Sequence, residues 1–223
     1  MSIVERESFV YLVSRSAFSF NDSGNESLPR SRKTREKILL SAFDEMYEHG
    51  YQGMRIENIL ATTGLAKGAL YHHFESKKVL GYAVVDEVIF AAFKNHLSPL
   101  ESADDPLECY CDMIERDSNF CSKQDILRGC PLNNLAQEMS GLDEGFQKRL
   151  SSVFTYWTST LASAVKRGKM LGQVKHTVNE NAVALFIVSS IQGCIGTSKC
   201  IQSDEIFKEL MVILLDYVKS LRK

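Results

Sequence analysis

Lys67, Gly68 and Ala69 open a short helical segment directly after Gly64-Leu65-Ala66, and their types suit contact with nucleic acid. A lysine donates to phosphate or to the acceptor edge of guanine, and two small side chains beside it let a backbone approach a groove. A second candidate is a thiol. Cys130 stands in Arg128-Gly129-Cys130-Pro131, beside a cation and at an expected helix start, both of which favour thiolate and a reactive sensor. The plain alternative is a small buried hydrophobe. Met113, Phe120 and Trp157 are apolar groups that either line a cavity for a small effector or fill a core. Metal chemistry is not expected. His72 and His73 are neighbours on a helix and diverge by about 100°, and the six cysteines include no C-x-x-C pair. Without a glycine-rich phosphate loop, an H-E-x-x-H or a nucleophile elbow, neither an enzyme nor a cofactor is expected.

The elements around these residues read as helices throughout. Apolar residues recur at three- and four-residue steps in Thr34–Gly50, where Ile38, Leu39, Ala42, Phe43, Met46 and Tyr47 form one stripe and Gly50 ends it. A short helix fits Ile56–Thr63, Gly64 makes the turn, and a third helix covers Lys67–Phe74. Ser76 is placed to cap a fourth, which Pro99 closes. Helices are further expected at Leu107–Phe120 with Pro106 in its first turn, at Leu132–Met139, from Asp143 to Lys169, at Asn179–Cys200 and at Asp204–Leu221. No alternating strand pattern occurs, so the fold class is all-α with about nine helices. Two short helices joined by a glycine-containing turn form a helix-turn-helix, in which the second helix enters the major groove of DNA.

The stretch Ile59-Leu60-Ala61-Thr62-Thr63-Gly64-Leu65-Ala66-Lys67-Gly68-Ala69-Leu70-Tyr71-His72-His73-Phe74-Glu75-Ser76-Lys77 closely resembles the DNA-binding domain of the TetR/AcrR family. The ending Leu-Tyr-x-His-Phe-x-x-Lys is its specific part. The C-terminal half matches that family only in helix number and length. The resemblance implies that Tyr71 and His73 contact the DNA backbone or base edges. It implies that Lys77 meets phosphate at a helix N-terminus, that Lys67 and His72 read sequence, and that Leu70 and Phe74 are core. It also implies a double-stranded operator as partner, a small-molecule effector bound in the second domain, and a homodimer formed by the last two helices. The expected organisation is an N-terminal arm over residues 1–30, a three-helix DNA-binding domain over 31–78, and a helical effector-binding and dimerisation domain over 79–223. Arg55 departs from the pattern. It stands where the family carries a capping Thr or Ser, so it exchanges a cap for a charged phosphate contact. The implied function is a transcriptional regulator, a repressor released by a small molecule or a thiol-reactive species. The alternative is a helical small-molecule binder without specific DNA binding.

Composition agrees with these expectations without selecting among them. The 223 residues carry a net charge of −2. Residues 30–80 hold nine basic and six acidic residues, while the remainder holds 17 and 22, so a modestly basic module adjoins an acidic body. No uninterrupted apolar run approaches the roughly 18 residues of a membrane helix. The first 30 residues make a poor secretory signal. A cytoplasmic protein with reduced thiols and no membrane partner is the expectation.

Overall fold

The computed structural model describes residues 29–223; the expected N-terminal arm, with its apolar turn around Phe9–Leu12, lies outside the described residues but for its last two positions. Among the described residues the helices are α1 (Arg30–Gly53), α2 (Ile56–Thr63), α3 (Lys67–His73), α4 (residues 77–97), α5 (Pro99–Ser102), α6 (Pro106–Phe120), α7 (Lys123–Arg128), α8 (Pro131–Met139), α9 (Glu144–Met170), α10 (Glu180–Ile201) and α11 (Asp204–Ser220). All nine expected helices are present, and α5 and α7 are short additions. No strand forms among the described residues, where Val174 and Arg222 make an isolated bridge.

Boundaries follow local chemistry. α1 starts at Arg30 rather than Thr34, because Pro29 precedes it and accepts from the amides of Arg32 and Lys33. Its first turn is all polar, so no apolar period announces it. At Gly50 the backbone leaves the helix (φ 72°), and one further turn runs to Gly53. Ser76 caps α4 through its hydroxyl, which accepts from Val79 N at 3.1 Å. α4 carries a π-helical turn at Val84–Ile89, unforeseen from sequence, in which Val84, Val85, Val88 and Ile89 are all fully buried.

Packing divides the described chain into two compact units, residues 29–95 with 131–151 and residues 96–130 with 152–223. In the first, Ile38, Leu39, Phe43, Ile59, Leu70, Phe74 and Leu80 form a closed core. Arg35 donates to both carboxylate oxygens of Glu87 and lies 4.9 Å above the Phe74 ring. Tyr51 and Tyr82 both pack on Phe146, with ring centres at 4.5 and 5.0 Å. Gly81 lies under this cluster: a Cβ there would stand 2.7 Å from Tyr51 and 2.9 Å from Phe146. Asp143 gathers Lys78 Nζ at 2.6 Å, the Tyr82 hydroxyl, and the Phe146 amide at 3.0 Å.

In the second unit α11 packs on α6 and α10. Arg222 bridges Asp105 at 2.8 Å and Glu108 at 2.6 Å, and Arg167 donates to the carbonyls of Leu100, Glu101 and Ala103. α7 opens with a capping box between Ser122 and Asp125. α10 is long and apolar enough to cross a membrane by length and composition, and a third of that window is buried. Ser189, Ser190 and Gln192 interrupt its sequence, so no unbroken apolar run announces it.

The first unit's core is open to test at two positions. Gly81→Ala forces the Tyr51–Phe146 pair apart and lowers stability by about 1–3 kcal/mol, measured by chemical denaturation followed by circular dichroism. The Lys78 ammonium first, then the Tyr82 hydroxyl, hold the Asp143 carboxyl far below the usual carboxylate range. A depressed folded-state pKa contributes stability above the unfolded value, about 3.9, and loses it as pH falls through the folded one. Asp143→Asn therefore lowers the melting temperature near neutral pH, and the gap to the native chain narrows below about pH 4. A gap independent of pH assigns Asp143 no electrostatic role.

Candidate functional site

α3 has seven residues, and its orientation is set from beneath. Leu70 and Phe74, four apart, are sealed in the first unit's core. The opposite face is open: Lys67, Gly68 and His72 are exposed, and Tyr71 is 38 % exposed. Lys67 and Tyr71, one turn apart, lie together, the ammonium 6.0 Å above the ring. Ala69 and His73 are half-buried at the edges of this face. Burial first, then the neighbouring His72 and Arg35, hold the pKa of His73 below the usual imidazole range, so it offers a neutral ring near pH 7.

The turn before α3 depends on Gly64, whose left-handed backbone (φ 67°, ψ 20°) caps α2. Lys37 secures that end by donating to the Thr63 carbonyl at 2.7 Å. At the start of α2, Arg55 makes no side-chain cap, as its identity implied. Glu45 of α1 takes over, accepting from Arg55 N at 3.3 Å and from Asn58 Nδ2 at 2.7 Å. The Arg55 residue itself is exposed.

Lys77, the first residue of α4, is positioned by its own bonds: Nζ donates to the Gln52 carbonyl at 3.0 Å and lies 5.1 Å above the Tyr51 ring. The segment it leans on is held in turn by Glu138 of α8, whose carboxylate accepts from the amides of Tyr51 at 2.9 Å and Gln52 at 2.8 Å. Glu138, Glu45 and Lys37 are positioning residues that sequence reasoning missed. No local spacing announces them, since Glu138 lies 87 positions from Tyr51. Lys78 is tied to Asp143 and differs in this from Lys77.

The second unit contains a cavity of about 60 Å³, lined mostly by apolar groups of α6, α7, α9, α10 and α11. Three expected effector residues line it: Met113, Cys130 and Trp157. Phe120 does not. It is the last residue of α6, two turns beyond Met113, and is 42 % exposed. Cys130 is 2 % exposed, so its thiol meets the cavity rather than solvent. Cys121 shares that lining, and burial pushes its thiol up to about 12. His96 Nε2 lies 3.0 Å from Asp117, also at the cavity. Among the described residues no cluster of His, Cys, Asp or Glu could hold a metal ion.

Comparison with known proteins covers both halves. Residues 38–83 match the model of the tetR family of bacterial regulatory proteins, and residues 110–214 match the tetracyclin repressor-like C-terminal domain. A helix-turn-helix transcriptional regulator encoded in the lacX 3′ region of Lactococcus lactis is 37 % identical over 125 residues, which are 56 % of this chain and 64 % of that protein. The transcriptional repressor DhaR of a Mycobacterium species is 25 % identical over 185 residues, 82 % of this chain and 90 % of the repressor. A TetR regulator from Chloroflexus aurantiacus superposes with a TM-score of 0.77 at 23 % identity, over 87 % of this chain and 98 % of its own. With models matching both halves of the sequence and relatives that are regulators, the chain belongs to the TetR family of DNA-binding transcriptional regulators.

Proposed function

We propose that the chain acts in the cytoplasm as a homodimeric repressor that leaves a palindromic operator when a small molecule occupies the cavity. The observation that carries the reading is the open strip on α3, Lys67–Gly68–Tyr71–His72, backed by Leu70 and Phe74 in the core. Lys67 and His72 face base edges, Tyr71 and His73 steady the backbone, and Lys77 offers its charge to phosphate at a helix N-terminus. Ala69 and Gly68 keep the approach close, and Arg55 adds a phosphate contact from α2. α4 links this region to the cavity through the chain itself, since it begins with Lys77 and ends with His96 and Leu97, both on the cavity lining. A ligand that favours one setting of α4 then changes how two recognition helices meet two half-sites. Reversible occupancy is favoured over thiol modification by the burial of Cys130.

The dimer rests on the outward face of α10 and α11. Leu185 is 60 % and Ile213 66 % exposed, with Phe186, Val212 and Ile201 similarly open. Large apolar side chains in this density mark an association surface, and a self-complementary pair of helices forms a two-fold contact.

Two outcomes test these readings. Gel shifts with DNA from the chain's own upstream region should give a specific complex that weakens steeply with salt. Lys67→Ala should weaken it by about 1–3 kcal/mol with loss of sequence preference if it reads a base, or flatten the salt slope by about one unit if it meets phosphate. No specific shift at low salt defeats the repressor reading and leaves a small-molecule binder. Ile213→Glu should convert a dimer to a monomer in sedimentation while circular dichroism is unchanged; a variant that stays dimeric moves the interface elsewhere.

A further inference from the structure

We infer that the cavity selects a small, uncharged aromatic molecule carrying one hydrogen-bond acceptor, and that the Tyr110 hydroxyl is the donor that reads it. This deepens, and rests on, the assignment of the cavity as the effector site. Tyr110 is 3 % exposed and lines the cavity, yet its hydroxyl hydrogen has no acceptor in the structure. The Trp157 indole beside it is a donor without acceptor capacity, so the phenolic hydrogen remains unspent. A buried hydroxyl in that condition costs free energy until an acceptor arrives. Burial also holds its pKa far above the usual phenol range, so it stays a neutral donor at physiological pH.

The charges around the cavity exclude ions. Among the described lining residues there is no lysine or arginine, and His96 is already engaged by Asp117. An anion would therefore enter without a counter-charge. A cation fares no better, because the Asp125 carboxylate is committed to Ser122 N and Oγ at 2.9 and 2.7 Å and Asp117 to His96. The remaining wall is rich in polarisable groups, Met113, Met211, Trp157 and Phe207, which favour a ring by sulfur–aromatic and ring–ring contact. The volume of about 60 Å³ is several times what one water needs, about 10–15 Å³, but below the about 150 Å³ of an apolar cavity that holds benzene, so a single ring is the upper limit of size and seats as the flexible Met113 and Met211 side chains shift.

Four probes of nearly one shape separate the possibilities: acetophenone, isopropylbenzene, benzoate and 1-phenylethylammonium. Calorimetry on the full-length chain supplies the affinities, and emission from Trp157, the chain's single tryptophan, reports that the probe is in this cavity. Acetophenone should bind about two- to tenfold more tightly than isopropylbenzene, and both ions more weakly than either. In Tyr110→Phe acetophenone should fall to the level of isopropylbenzene, whose own affinity is unchanged. Equal binding of the two neutral probes by the native chain, tighter binding of either ion, or no binding of acetophenone overturns the proposal. Acetophenone that binds with the Tyr110-dependent preference but leaves the operator complex intact supports the ligand class and overturns the effector assignment instead.

Discussion

Burial of Leu70 and Phe74 is the constraint on which the proposed DNA-binding surface depends. A helix of seven residues is about half the length at which isolated helices become even marginal in water. α3 is therefore helical, and aimed, only because Leu70 and the residue that caps its end, Phe74, are fixed in a core shared with Ile38, Phe43, Ile59 and Leu80. Residues on its other face inherit that aim. Lys67 and Tyr71 lie together because they are one turn apart on a helix that cannot rotate without exposing Phe74. The left-handed Gly64, the Lys37 bond to the Thr63 carbonyl and the Glu45 contacts at α2 set the angle of approach. Polar groups here serve orientation, and the apolar pair beneath supplies the stability.

What is legible in the sequence is local. Gly64 and Ser76 act within a few residues of where they stand, and the apolar stripe of α1 repeats every turn, so the helices and the exposed strip of α3 are readable from residue order alone. The additions α5 and α7 are too short for a period to register. The π-helical turn in α4 uses valines and an isoleucine that an ordinary helix would bury equally well. Glu138 reaching back to Tyr51, and Asp143 gathering Lys78 and Tyr82, join segments far apart in sequence, so nothing near either residue predicts the contact. Phe120 shows the same limit at the cavity: its type suits a pocket wall, but it stands at the end of α6, two turns beyond Met113, outside the lining.

The thiols illustrate how burial overrides local chemistry. A helix start and a neighbouring arginine are the ingredients of a reactive cysteine, and the sequence around Cys130 contains both. Access decides the matter as much as acidity, and the residue is almost fully enclosed. Cys121 and Cys111, under the same desolvation, are pushed up to about 12 and about 11, where thiolate is scarce near neutral pH. With these thiols enclosed, the proposed effector cavity discriminates by shape, polarity and one hydroxyl rather than by reaction.

A quiet, small cavity limits how strongly its occupant can act. A ligand shifts an equilibrium only by the difference in its affinity for the two states, and a molecule of one ring offers few contacts from which to build that difference. Pairing of protomers relieves the limit. In the proposed dimer both half-sites must be engaged together, so two occupied cavities bias the same global equilibrium. A preference of about tenfold at each then becomes about a hundredfold for the operator complex. In the proposed switch α4, which runs from Lys77 to Leu97 as one helical stretch, is the segment through which occupancy acts. Modest selectivity in each cavity, combined through symmetry, is enough for a switch.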